Sequence, residues 1–378
     1  MKKFLLYPLN VVLALVFALA FSLFDLSSFY DMPSFWDILV IALMCLIYIF
    51  QYSFFKRNVF FDIKNNNSKI YKKYLVFGLL GFFVEFLFYG VPVLNSSGGR
   101  DDYAGIPVFH VVFYSCMFVA ILFSSLYSSR KDLVVTGLSV LVVGVLLLSR
   151  QMLMISFLII IISSLVRYNF SAKLLIKTCF FLLGIIFLFG LVGNYRQKLS
   201  GDYVDEYIIL IGGANKKGEF LGGVLYWFWL YIASPMYNFF LNVDSYYQYG
   251  EKCNTSLEYG SCSGDFLSSI LFPDTLRKYL GFEEFLVDLK ISYLNVGTGY
   301  AAAARILGMP GVVVQIIMQG FFYFLGYKIM SNNIKSAFIV YFSVLSIFML
   351  FSNVFLRAEC FFVFIILYLE KYKLVWKS

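Results

Sequence analysis

The chain has 378 residues, of which 61% are hydrophobic and only 14% charged. A soluble domain is nearer half apolar and a quarter charged, so this composition excludes a water-soluble globule and defines an integral membrane protein. The net charge of +8 does not indicate nucleic-acid binding, because most Lys and Arg fall in short segments between apolar runs, where they hold loops in the cytoplasm.

In chain order, Met1-Lys2-Lys3 precedes the apolar run Phe4–Phe24. That run is too long for a signal-peptide core and has no clear small-residue cleavage site, so it reads as a retained first span. Further spans follow at Phe35–Phe55, Tyr74–Leu94 and Val108–Tyr127. The segment from Lys56 to Lys73, with Arg57, Lys64, Lys69 and Lys72, is the longest cytoplasmic loop. Glu85 falls in the middle of the third span. A carboxylate there is either a functional group or a hydrogen-bonded packing residue. The segment Gly99-Arg-Asp-Asp-Tyr-Ala-Gly-Ile-Pro-Val-Phe-His110 enters the fourth span from outside. Asp101 and Asp102 either bind a cation, take a proton from a hydroxyl, or are simply solvated. His110, the one histidine of the chain, is either a general base or a structural residue at a helix mouth.

Leu133 to Val166 is apolar except around Ser149, Arg150 and Gln151. One continuous helix would run about 50 Å, against roughly 30 Å of hydrocarbon. Arg130 and Lys131 before it, and Arg167, Lys173 and Lys177 after it, favour the cytoplasm at both ends. Two spans therefore share it, Leu133–Ser149 and Met152–Val166, with Arg150 at the far-side turn. A cation held at that depth calls for an anionic partner or a wet cavity.

A seventh span, Leu174–Val192, leads into an outer domain from Gly193 to Ile306. Within it, Phe220 to Val243 is uncharged and long enough to cross. Crossing would turn the basic C-terminal half outward, and Pro235 and Gly222-Gly223 weaken a straight helix. The segment is therefore expected to be interfacial or re-entrant. The last spans are Leu307–Tyr327, Ala337–Phe351 and Val354–Leu369, anchored by Lys371, Lys373 and Lys377. The expectation is an all-α polytopic fold of about ten transmembrane helices: seven in residues 1–192, an extracytoplasmic loop domain in 193–306, and three in 307–378. Both termini are cytoplasmic.

Four cysteines, Cys45, Cys116, Cys179 and Cys360, lie in apolar spans and read as small hydrophobes. Cys253 and Cys262 lie in a polar outer segment, where the pair reads as a disulfide closing a short loop or as two free thiols. One histidine and no second cysteine pair leave no zinc site.

Arg150, Arg196, Arg305 and Arg357 all fall at outer span ends or in the loop and are candidates to converge beneath it. A guanidinium offers two parallel donors to phosphate or pyrophosphate and stays charged when partly desolvated. The plainer alternative is anchoring to lipid headgroups. Glu359 stands two residues beyond Arg357, a spacing that does not face itself on a helix, so it pairs elsewhere or lines the same pocket. Tyr226-Trp-Phe-Trp229-Leu-Tyr231 and Tyr246-Tyr247 suit sugar rings or a membrane interface. No GxxxxGK[ST], HExxH or GxSxG motif occurs.

Taken together, Gly105-Ile-Pro-Val-Phe-His110, Leu148-Ser-Arg150, Gly193-Asn-Tyr-Arg196, Tyr231-Ile-Ala-Ser-Pro235-Met-Tyr-Asn238, and Asn295-Val-Gly-Thr-Gly-Tyr300 with Ile306-Leu-Gly-Met-Pro-Gly311 resemble the bacterial O-antigen and capsule repeat-unit polymerases. The resemblance implies a membrane glycosyltransferase of GT-C-like architecture in the inner membrane. It implies undecaprenyl-pyrophosphate-linked oligosaccharides as donor and acceptor, no cofactor or metal, membrane lipid as surroundings, and a chain-length regulator protein as partner. Arg150 and Arg196 would then be catalytic, with His110 or Asp102 as base, and Arg150, Arg196, Arg305 and Arg357 would bind the lipid pyrophosphate. Glu85 and Glu359 would line the pocket. Two alternatives stand beside it. An O-antigen ligase is similar in span number and loop but calls for a histidine in the loop, which 193–306 lacks. A flippase or other transporter calls for polar residues along the membrane path.

Overall fold

Apolar side chains cover more than one face of most helices, the pattern of segments packed against lipid or other helices rather than water. In the computed structural model the described residues are 2–55, 69–94, 103, 105–167, 190, 207–252, 262–291, 294 and 296–375. They form an all-helical molecule: α1 (Leu9–Ser22), α2 (Phe35–Phe55), α3 (Ile70–Tyr89), α4 (Phe109–Tyr127), α5 (Arg130–Leu146), α6 (Arg150–Arg167), α7 (Tyr207–Ile211), α8 (Lys216–Phe220), α9 (Gly222–Tyr249), α10 (Cys262–Leu271), α11 (Asp274–Tyr279), α12 (Ala301–Ile329), α13 (Asn332–Phe348) and α14 (Ala358–Val375). Among the described residues, five segments are long and apolar enough to cross a membrane: Phe35–Phe55, Ile70–Leu94, Phe109–Tyr127, Arg150–Arg167 and Ala301–Ile329. On α2, Leu46, Phe50 and Phe54 repeat every fourth residue and are 63%, 74% and 66% exposed. Such a stripe is stable in lipid and costly in water. The chain is a multi-pass membrane protein.

Helix α4 is the hub. Every residue from Phe113 to Tyr127 is buried, against α3, α5, α6 and α14. Tight turns alternate between the two ends of the bundle. Ser129 caps α5 with Asp132 in a reciprocal box, and Leu147 to Ser149 turn the chain back into α6. Arg130, Arg167, Lys328 and Lys335 thus share one end, while His110, Arg150, Arg305 and Arg357 share the other.

Several expected boundaries move. The first span is shorter than Phe4–Phe24: its α-helix begins at Leu9, after Pro8 at the cap position, because proline has no N–H to give to a preceding turn. The third helix ends at Tyr89, so Glu85 lies about 6 Å from the helix end. Near Gly308 the backbone of α12 leaves helical geometry (φ 64°, ψ −152°). A Cβ there would lie 2.4 Å from the Tyr246 ring, so only glycine permits both the break and the contact. Residues 354–356, expected in the last span, form a separate 3-10 turn before α14.

The expected weakening at Pro235 is corrected too. Helix α9 runs unbroken from Gly222 to Tyr249 with Pro235 inside it, and the glycine pair sits at its start. Tertiary bonds override the local preference. Trp229 Nε1 donates to the Phe21 carbonyl (2.7 Å), the Tyr237 hydroxyl donates to the Ser22 carbonyl, and Asn238 Nδ2 donates to the Val296 carbonyl (2.8 Å). Asn242 pairs with both backbone groups of Asp288 (2.8 and 3.0 Å). These contacts, with Tyr246 at Gly308, spread along a helix of about 42 Å yet all fall at the His110–Arg150 end of the bundle.

Candidate functional site

The site begins where α3 ends and α4 begins. Glu85 is fully buried and accepts three hydrogen bonds: from the Tyr103 hydroxyl (3.0 Å), from the Ile106 N–H (3.0 Å), and at 2.9 Å from His110 Nδ1. An ionised carboxylate only accepts, so with Glu85 ionised Nδ1 carries the proton, and in the neutral form of the ring Nε2 presents its lone pair. The His110 side chain keeps 28% of its exposure. The Gly105-Ile-Pro-Val-Phe-His110 segment builds this arrangement. Gly105 has φ +63° and a Cβ there would stand 2.9 Å from His110 Nδ1, so the glycine lets the backbone pass against the imidazole. Val108 also lies at positive φ (67°), a strained position for a β-branched residue.

One turn along α4, the Tyr114 ring lies 5.8 Å from the His110 ring, and its hydroxyl is 2.5 Å from Ser149 Oγ. Ser149 caps α6 through the Met152 N–H (3.3 Å), and the next residue is Arg150. Its Nη1 donates to the Tyr231 hydroxyl of α9 (2.8 Å), with the guanidinium 5.9 Å from that ring's centre. Gln151 bridges onward. Its Oε1 accepts from Arg357 Nη1, and its Nε2 donates to Glu359 Oε1 (3.3 Å) and Cys360 Sγ (3.4 Å). Ser115 Oγ also donates to the Glu359 carbonyl (2.7 Å), tying α14 to α4.

Arg150 opens α6 and Arg357 immediately precedes α14. A cation at a helix N-terminus works against the macrodipole by roughly 0.3–1 kcal/mol. An anion between the two helix ends would meet both dipoles and both guanidiniums favourably. Asp274 of α11 borders this region. Partial burial pushes its carboxyl above the usual range, against the opposing pull of Arg277 and Arg357.

Arg305, 6% exposed, has different partners. Its Nε donates to Asp288 (2.6 Å) and its Nη1 to the Gly250 carbonyl (2.8 Å). Lys252 holds the second Asp288 oxygen at 2.5 Å. Burial pushes the Asp288 carboxyl up, but the hydrogen bonds and charges of Lys252 and Arg305 outweigh it and hold it below its usual value. This cluster joins the end of α9 to the start of α12. Arg196, Asp101, Asp102 and Cys253 lie outside the described residues. Cys262 is disulfide-bonded, while Cys45, Cys116 and Cys360 are free thiols. Among the described residues no cluster of three or more His, Cys, Asp or Glu could hold a metal ion.

Sequence reasoning missed Gln151, Tyr114, Tyr103, Tyr231 and Arg277 as individual site residues. Tyr231 lies in the aromatic run and Tyr103 in the segment before α4, but nothing in the chain pairs Tyr231 with Arg150, 81 positions away. No family model, curated protein or solved structure matches the chain.

Proposed function

We propose that this protein is a membrane glycosyltransferase that joins lipid-pyrophosphate-linked oligosaccharide repeat units into a polymer, at the outer face of a bacterial inner membrane. The observation that carries the reading is the linked constellation Glu85–His110–Tyr114–Ser149–Arg150–Gln151–Arg357. It links a carboxylate-bound imidazole, through Tyr114, Ser149 and Gln151, to two arginines at helix N-termini. His110 Nε2 takes the proton from an acceptor hydroxyl as its oxygen attacks the anomeric carbon of the donor. The bond from that carbon to the pyrophosphate oxygen breaks, the electron pair leaves with the pyrophosphate, and Arg150 and Arg357 stabilise the charge that grows there. No metal is needed for this step, since the arginines supply the positive charge.

The topology belongs to the same proposal: ten spans with both termini in the cytoplasm, Leu174–Val192 as the seventh, a GT-C-like outer domain in 193–306, and α9 lying along the outer surface. The placement of α9's contacts at one end of the bundle supports this. Membrane lipid surrounds the bundle, and a chain-length regulator is the expected protein partner.

The test is deletion in the source strain, with gel analysis of the surface glycan. Loss of a polymerase leaves a single repeat unit on the core. Loss of a ligase or a flippase leaves none, and a flippase loss also strands lipid-linked units inside. Either of the latter outcomes overturns the proposal.

A further inference from the structure

A cavity of about 290 Å³ opens between α12, α13 and α14, with α10 at its upper rim. Its outer mouth is formed by Leu271, Asn353 and Leu356, and its far end by Ile329 and Met330. Polar groups line only the outer part, at Asn353, Gln315 and Gln319. Below them the wall is apolar and largely aromatic, with Phe338, Phe342 and Phe364 facing Phe322. The flank is open to lipid: Phe322, Ile329 and Phe361 are 46%, 44% and 39% exposed.

The mouth lies beside the arginines. Leu356 is followed directly by Arg357. Arg277 of α11, three residues beyond Asp274, is 7% exposed and has a buried Nε without a hydrogen-bond partner. Arg277 Nη2 pairs with Asp274 (3.5 Å) and lies 4.0 Å from Glu284, and Arg357 and Glu359 also act on Asp274, so the anionic head of an amphiphile seated in the groove would compete with these carboxylates for the two guanidiniums. Length selects the occupant. From Gln315 to Met330 the α12 wall runs about 22 Å at 1.5 Å per residue. One leaflet of hydrocarbon is about 15 Å deep, half of the roughly 30 Å core. A phospholipid chain ends near the midplane, whereas this groove continues almost to the opposite interface.

We infer that the groove between α12, α13 and α14 seats the tail of a polyprenyl-pyrophosphate lipid, a chain longer than one leaflet, with its head at Arg357 and Arg277. The inference rests on the transferase reading for the identity of that lipid. Methionines at the groove wall, Met318, Met330 and Met349, adapt to the irregular outline of a methyl-branched chain.

The test uses the full-length protein in phosphatidylcholine nanodiscs, with a polyprenyl pyrophosphate bearing a photoreactive diazirine at the far end of its tail. After irradiation, peptide mapping is expected to find the label at Met330 and Phe338. Tenfold excess of unlabelled polyprenyl pyrophosphate should displace it, and phosphatidylglycerol should not. Met318→Trp and Leu325→Trp should lower the label at least tenfold, while Val142→Trp on the lipid-facing side of α5 should not change it. If the tryptophan variants do not fold, the wild-type map decides alone. Label spread over α2 and α5, or displaced equally by phosphatidylglycerol, overturns the inference. Label in the groove of a protein whose deletion leaves the polymer ladder intact keeps the groove and sinks the polymerase reading. A lost ladder with scattered label does the reverse.

Discussion

Replacing Arg150 by lysine keeps the charge at the start of α6 but removes the planar fork. Arg150 Nη1 donates to the Tyr231 hydroxyl at 2.8 Å, which fixes the plane of the guanidinium at the start of the helix. A charge-assisted contact that strengthens in the transition state is worth about 3 kcal/mol, so Arg150→Lys should slow polymer formation about a hundredfold. Tyr231→Phe removes the group that aims the fork. A hydrogen bond to a charged group contributes about 1.5–3 kcal/mol, and the lower value applies at this partly exposed site, so roughly tenfold is expected. The two should not add. Once the fork is gone, the tyrosine hydroxyl has nothing to aim, and the double variant should resemble Arg150→Lys alone. The assay is the glycan ladder in a deletion strain complemented with each variant, with membrane abundance checked by blot. A headgroup anchor would tolerate lysine almost fully. Normal ladders from both Arg150→Lys and Arg150→Ala would refute the role of this residue, and additive losses would refute the coupling to Tyr231.

His110→Gln should reduce the ladder about a hundredfold at unchanged membrane level, the usual contribution of a general base; full activity would make His110 structural. The Asp288 carboxyl is held below its usual value, so its stabilisation is complete above the unfolded-state pKa of about 4 and is lost as pH falls through the lower folded value. Melting curves in detergent should therefore show wild type and Asp288→Asn converging at acid pH and separating near neutrality; parallel curves would contradict this. Peptide mapping of unreduced membranes should recover Cys253 joined to Cys262, and two free thiols would also count against an outer placement of that loop. Reporter fusions at positions 215 and 270 should report the same, outer side; opposite sides would mean that α9 crosses.

Composition and charge placement alone determine that this chain is a helical membrane protein, because a span needs only length and hydrophobicity and an orientation needs only its flanking cations. The hairpin at Arg150 was legible for the same reason: one apolar stretch was too long for one crossing. Helix ends were less so. Gly90 and Gly308 are ordinary glycines in sequence, and only packing shows that α3 stops before residue 90 and that α12 breaks against Tyr246. Continuity through Pro235 was invisible, since it depends on carbonyls of Phe21, Ser22 and Val296 that lie far away in the chain. The site divides similarly. Arg150, Arg357, Glu85, His110 and Glu359 stand out because charge in an apolar chain is conspicuous. Their grouping does not, because the bonds that assemble them run from α3 to α4 and from α6 to α9 and α14. Arg305 looks the same as Arg150 in sequence, and only the fold shows that Asp288 holds the one at 2.6 Å while the Tyr231 hydroxyl holds the other at 2.8 Å.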